Sequence, residues 1–395
     1  MESTRSGRTN FRTLAALAAM LVMVLQQTQT RQFVRVMSTI EEVFVKFDPP
    51  QCTADQLQKL SEQLPPEDCL ENKNRPWTSR CSFSAASSCP DSSWLDHHFT
   101  VRQAEAGEEP FLSFFVGCNK AIDAVHALRM GSRNPRFDVE QWKTVLSEGR
   151  ENEFAGSSCA QFDKDYEVQS QQPIRPAQVY CFEPVSTTFA QLHRTKMELG
   201  WTNELILEKA AVSSERGTMS VPKEVKLGRE NAGIQQLDCG KNGNEDDCRK
   251  IPIYTLNDYV GTMPGKPQIH FLSIDVEGFD FEVLKGASNI LKDQVHYLEF
   301  EYNWKGPWAR QNLADAVNML HNDGFICYWP GPKDGHIWRI TGCWQDHYAT
   351  RYWSNVACVN GGIPQARPLA QDMEEKFLRT LALDGVVYNR NKHRF

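Results

Sequence analysis

From residue 110 onward the chain alternates short apolar runs with amphipathic stretches. Residues 111–116 form a continuous apolar run, interrupted by Gly117-Cys-Asn-Lys-Ala121, and a helical pattern follows over 122–130. The unit then repeats. Residues 178–182 are strand-like and end in Glu183-Pro184, before a helix carrying Phe189, Leu192 and Met197. Residues 204–212 read as a third strand and 269–274 as a fourth, followed by a helix over 281–291. Residues 295–301 make a fifth strand, and the helix over 313–322 stops at Asp323-Gly324, a good C-terminal signal. Two last strands, 325–329 and 354–359, have only loop between them and predict an antiparallel edge. Strands alternating with helices imply an α/β fold with a doubly wound, mostly parallel sheet.

The regions around this pattern divide the chain further. Arg5, Arg8 and Arg12 precede an unbroken apolar run at 14–25. That run is shorter than the ~20 residues of a full bilayer span. Residues 1–31 therefore predict an uncleaved signal anchor, with a cleaved signal peptide, an organellar transit segment or a plain helix as alternatives. Basic residues ahead of the run would keep the N-terminus cytosolic and the rest lumenal, on a single-pass membrane protein of the Golgi or endoplasmic reticulum. If the signal is cleaved, the product is secreted. Residues 32–108 read as a cysteine-containing stem or cap with one amphipathic helix near 54–63. The α/β domain covers 109–360, with polar insertions at 131–176 and 213–250. Residues 361–395 hold a helix over 371–383 and a basic tail.

Composition narrows the function classes. Hydrophobic residues make up 41% of the 395, enough for a real core. A net charge of −7 argues against a general nucleic-acid binder. Twelve cysteines are many for a cytosolic enzyme, and their spacings are not the paired Cys-x-x-Cys of a zinc site. They favour a disulfide-permissive compartment over reduced structural thiols, with Cys239–Cys248 the first bridge to expect. His270, His296, His336 and His347 show no metal-ligand spacing. The late aromatics, Trp304, Trp308, Tyr328, Trp329, Trp338, Trp344 and Trp353, read mostly as core, with ligand stacking as the alternative.

The candidate chemistry sits at strand ends. Asp275 and Glu277 close the apolar run that begins at His270, where open α/β sheets bind ligands. If the strand persists through Gly278, the two acids share a face. Glu299 and Glu301 repeat the spacing on the next strand, so up to four carboxylates could gather. Such a group suits a hard divalent cation, or one acid of raised pKa acting as a general base. The bland alternative is solvated strand-end acids, or acids paired with Lys285 and Arg310. Glu183 is placed to accept both ribose hydroxyls of a nucleoside; alternatively it is a helix N-terminal acid. Gly117 permits close backbone approach, but its loop is neither Gly-x-Gly-x-x-Gly nor a phosphate loop. It suits a ligand without phosphates, such as S-adenosylmethionine, or is an ordinary glycine turn.

Together these residues resemble the FkbM family of S-adenosylmethionine-dependent methyltransferases, over about 111–359. The block Phe271-Leu-Ser-Ile-Asp-Val-Glu-Gly-Phe-Asp-Phe-Glu-Val-Leu-Lys-Gly-Ala is similar to the family's strongest motif. Phe182-Glu183-Pro184, Lys209-Ala-Ala-Val212, Tyr254-Thr-Leu-Asn-Asp258 and Asn355-Val-Ala-Cys358 match its other segments. Phe115 and Ala121 stand where the family's first loop has an acid and a second glycine; Ser273 and Asn257 replace its usual lysine and aspartate. The resemblance implies a Rossmann-like class I methyltransferase fold: a seven-stranded, mostly parallel sheet, an antiparallel last strand, helices on both faces. It implies S-adenosyl-L-methionine held by Gly117, Asn119, Asp123, Glu183 and Ala211. It implies Asp275 or Glu277 as the catalytic base, and methyl transfer to oxygen of a sugar, glycan or small hydroxylated acceptor. No metal ligand is assigned, although a divalent metal is compatible with the acids. The altered first loop also suits a second reading, a secretory-pathway binding or structural protein on a degenerate methyltransferase fold.

Overall fold

A computed structural model describes residues 51–63, 95, 98–99, 110–148, 173–223, 239, 248–331, 336–351 and 353–383, all within the compact unit Asp48–Phe395. The apolar run at 14–25 and the basic tail fall outside them, and the signal-anchor expectation with them. Among the described residues no helix is long and apolar enough to cross a membrane.

The main sheet has eight strands. Five are parallel: β3 (Leu205–Glu208), β2 (Ala177–Phe182), β1 (Phe111–Val116), β7 (Phe271–Ile274) and β8 (Tyr297–Tyr302), in that spatial order. Beyond β8 lie β11 (Ser354–Asn360), β9 (Phe325–Pro330) and β10 (Ile337–Arg339), each antiparallel to its neighbour. Every residue of β1 and β8 is buried. A parallel strand covered on both faces needs that uninterrupted apolar character.

Two expectations are corrected here. The sheet has eight strands, not seven, because Ile337–Arg339 adds β10 to the edge. All three of its residues are buried, and Arg339 reaches Glu374 of α9 (Arg367–Leu381) at 2.6 Å. The last strand, β11, is not an edge. It is inserted between β8 and β9, where the Cys327–Cys358 disulfide ties it to β9.

Other elements also differ from the sequence pattern. The stretch 204–212 splits, with β3 in the main sheet and β4 (Ala211–Val212) in a second, three-stranded sheet with β6 (Cys248–Tyr254) and β5 (Gly217–Pro222). Ala211, Val221 and Ile251 form that sheet's small core. In the region read as an irregular insertion, α2 (Ile122–Ser132) is followed by α3 (Val139–Ser147). Asp138 caps α3 by accepting from the Gln141 N–H at 2.7 Å. The helix expected over 281–291 is two, α6 (Asp280–Gly286) and α7 (Ser288–Asp293). Gly286 lies where a Cβ would sit 2.1 Å from the Ser213 carbonyl, so close packing of the small sheet fixes the break. The amphipathic α1 (Ala54–Gln63) is bridged to the main domain through Cys52–Cys343.

Eight cysteines among the described residues form four disulfides: these two, Cys118–Cys181 and the expected Cys239–Cys248. The strand order runs outward from β1 in both directions, through β2 to β3 and through β7 to β8. That reversal opens a crevice at the carboxyl ends of β1 and β7.

Candidate active site

The crevice is built from four strand ends. β1 delivers the loop Gly117–Ala121, with Gly117 at φ +88°, Asn119 at +46° and Ala121 at +56°. Such left-handed turns suit glycine and cost the other two residues of the order of 1 kcal/mol each. The loop is held from several sides. The N–H groups of Gly117 and Cys118 both donate to the Phe182 carbonyl, at 3.1 and 3.2 Å. The Asn119 N–H donates to Glu183 Oε2 at 2.9 Å. Trp142 of α3 donates its indole N–H to the Lys120 carbonyl at 2.8 Å and stacks on Trp201. A Cβ on Gly117 would fall 1.7 Å from the Asp275 carbonyl oxygen, so only glycine lets the ends of β1 and β7 meet.

Glu183 follows β2 and is 5% exposed. Its second oxygen accepts from the Val185 N–H at 2.7 Å. Burial pushes its pKa up to about 7, against the pull of the two backbone donors. Each oxygen keeps a further acceptor position.

The β7 and β8 ends carry the acids. The strand stops at Ile274, so Asp275 and Glu277 do not share a strand face as the sequence pattern suggested. Asp275 is exposed, and its N–H donates to the Val116 carbonyl at 2.9 Å. Glu277 sits in a left-handed turn (φ +55°) and forms an ion pair with Lys305. Gly278 presses on the Lys305 carbonyl, where a Cβ would come within 2.4 Å. Asp280, fully buried at the start of α6, accepts from the N–H groups of Val276 and Gly278 at 3.4 and 3.2 Å. Glu301, also buried, accepts from the Asn303 amide at 2.6 Å. Burial, then the neighbouring Asp275 charge, raises the pKa of both Asp280 and Glu301 well above the carboxylate range.

The gathered acids are therefore Asp275, Glu277, Asp280 and Glu301. Glu299 is not among them: it accepts from the Tyr297 hydroxyl inside the sheet. Among the described residues no group of three or more His, Cys, Asp or Glu has metal-holding geometry. Gly117, Asn119 and Glu183 come together at the crevice, and Asp123 is exposed in the first turn of α2. Ala211 instead lies in the core of the small sheet.

Comparison with known proteins adds the family. Residues 176–327 match the family model described as the methyltransferase FkbM domain. This segment is a methyltransferase FkbM domain. The matched residues run from β2 to β9 and contain Glu183 and all four gathered acids; the Gly117–Ala121 loop lies before them. No curated protein matches the chain. Among solved structures it is similar to the crystal structure of methyltransferase FkbM from Methylobacillus flagellatus KT. That similarity has 11% identity, 77% coverage of this chain, 58% coverage of the other and a TM-score of 0.31. The chain thus spans less than two thirds of that protein, and the likeness is too distant to carry fold or activity.

Sequence reasoning missed Asp280, Asn303 and Lys305 in the FkbM domain. Asp280 had a signal, an acid two residues after Gly278 at a helix start, where it can close a turn on backbone N–H groups. Lys305 had none, since its pairing with Glu277 depends on the chain reversal after β8.

Proposed function

We propose that this protein is an S-adenosylmethionine-dependent methyltransferase acting on a hydroxyl of a sugar, glycan or other small hydroxylated acceptor. The observation that carries the reading is the meeting of Gly117 and Asp275 at the crevice, beside the buried Glu183, in a chain with an FkbM domain. The residues fit the cofactor. Glu183 has acceptor capacity left for ribose hydroxyls. The N-terminus of α2 has no side-chain cap, which leaves backbone N–H groups for a carboxylate. Asn119 lies between them. Once bound, the cofactor supplies a methyl group already activated on a sulfonium.

The chain's own task is alignment and proton removal. Asp275 is the better base of the two expected acids: it is exposed at the crevice, whereas Glu277 is engaged by Lys305. The buried acids Asp280 and Glu301 lie beside it, and the Asp275 charge helps to raise the pKa of both. The four disulfides support an oxidising, secretory-pathway compartment, with membrane attachment through residues 14–25.

A second reading has its own observation. The N–H groups of Gly117, Cys118, Asn119 and Ala121 are all spent within the fold, which suits a binding or structural protein on a degenerate methyltransferase fold. Calorimetry of the full, disulfide-intact chain with S-adenosylmethionine separates the two. Saturable binding is expected. No heat up to about 1 mM cofactor, an affinity weaker than about −4 kcal/mol, would sink the enzyme reading.

A further inference from the structure

The Cys118–Cys181 disulfide lies within the candidate cofactor loop and belongs to none of the chemistry above. Cys118 is two residues past the end of β1; Cys181 is the penultimate residue of β2, paired in register with Phe115. The bridge therefore ties the loop leaving β1 to the neighbouring strand β2. Both cysteines are buried, at 9% and 0% exposure. Around it stand the left-handed Gly117, Asn119 and Ala121, two of them without glycine's freedom. The Ala121 N–H donates to the Cys118 carbonyl at 2.7 Å, so the residue carrying the bridge also closes the turn into α2.

We infer that the Cys118–Cys181 disulfide is a positioning element for the cofactor site, holding the Gly117–Ala121 loop in its left-handed course and aiming Asn119 and the start of α2 at the crevice. The inference rests on the cofactor reading above. It makes competence conditional on an oxidising environment. A dithiol reductant would deliver two electrons and two protons to the S–S bond. Two thiols would form, the reductant would become a cyclic disulfide, and the loop would lose its covalent tie. Hydrogen bonds from Gly117, Cys118 and Asn119, with the Trp142 indole on the Lys120 carbonyl, would then hold it without a covalent tie.

The test compares two disulfides in the full chain. The double variant Cys118→Ala/Cys181→Ala is set against Cys327→Ala/Cys358→Ala, whose bridge joins β9 to β11 away from the crevice. Both should lower the thermal midpoint. Only the first should weaken S-adenosylmethionine binding, by about tenfold or more below both midpoints, and only the first should speed hydrogen exchange at 117–121. Adding Ala121→Gly to the first variant should recover part of the affinity, because glycine accepts the left-handed turn without the tie. A folded Cys118→Ala/Cys181→Ala protein that binds within about twofold of the parent overturns the inference and leaves the enzyme reading intact. Should the parent itself not bind, the enzyme reading fails, and the exchange rates at 117–121 decide the inference: equal rates in both variants overturn it. Should the first variant not fold, stepwise reduction of the parent with dithiothreitol, followed by mass mapping, replaces it. Binding retained with Cys118–Cys181 reduced refutes the inference, and binding lost in step with that bridge supports it.

Discussion

The two sides of the crevice solve opposite problems. On the β1–β2 side one carboxylate, Glu183, is met by backbone donors, and a disulfide and an indole hydrogen bond hold the loop above it. On the β7–β8 side four carboxylates crowd together, and Glu277 pairs with Lys305. The first arrangement fixes geometry. The second holds charge in tension, which is how a fold tunes a proton acceptor. The proposed function, gripping a nucleoside and deprotonating a hydroxyl, needs one of each.

The largest effect should come from the acid side. Asp275→Asn keeps shape and removes the proposed base, so methyl transfer to a hydroxyl acceptor found by labelled-cofactor screening should fall by about 10²–10⁴-fold. Cofactor affinity, measured by calorimetry, should barely move. A variant that loses cofactor binding instead would move Asp275 to the gripping side and erase the contrast.

Next is the seam between the sides. Gly117→Ala would drive a Cβ to 1.7 Å from the Asp275 carbonyl, at a φ of +88°. Overpacking and the left-handed turn together should cost about 2–4 kcal/mol, read from the urea midpoint. An unchanged midpoint would show that the two strand ends do not meet.

On the gripping side the signature is a pH dependence. Glu183 has a pKa near 7 in the fold against 4.5 for the free side chain. The folded protein therefore holds an extra proton between about pH 4.5 and 7. This contribution to stability is present at the acid end of that window and is lost as pH rises through 7, a matter of a few kcal/mol at most. Ribose hydroxyls donating to Glu183 favour its ionised form. Cofactor affinity should thus weaken as pH falls below 7, by up to about tenfold per unit, with proton release visible as buffer-dependent binding heat. Glu183→Gln should flatten that profile. A flat profile in the parent would remove Glu183 from the ribose.

What could be read in the sequence follows the same division. Parallel strands buried on both faces write themselves as apolar runs, so β1 and β8 were legible; β2 and β7 were legible from shorter apolar runs, and so were the acids closing them. Register and reversal were not. Glu299 and Glu301 share a spacing, yet the first turns to Tyr297 and the second to the crevice. Asp280 enters the acid group only because the strand stops at Ile274 and the chain turns back at Gly278. β10 escaped notice because its three residues are buried by α9, not by any periodicity of their own. The left-handed Ala121 also carries no sequence signal, unlike Asn119, whose residue type is at home in that region.

The smallest expected effect probes whether the acid side is under tension at all. Lys305 pairs with Glu277 and pulls against the raised pKa of Glu301. Lys305→Met keeps much of the apolar stem and removes the charge. Both members of the pair are largely buried, at 20% and 17% exposure, so the loss should reach about 1–2 kcal/mol near pH 8, between the values for surface and buried pairs. Its sign with pH is the informative part. Glu301 and Asp280 bind protons more tightly in the fold than in the unfolded chain, so their contribution to stability falls as pH rises. Without Lys305 that fall should steepen, and the gap between variant and parent should shrink toward pH 5, where the acids can take up protons. Urea midpoints at several pH values read this directly. A gap independent of pH would mean that Lys305 matters only as packing around the turn at Gly278, and that the acids do not feel one another as a group.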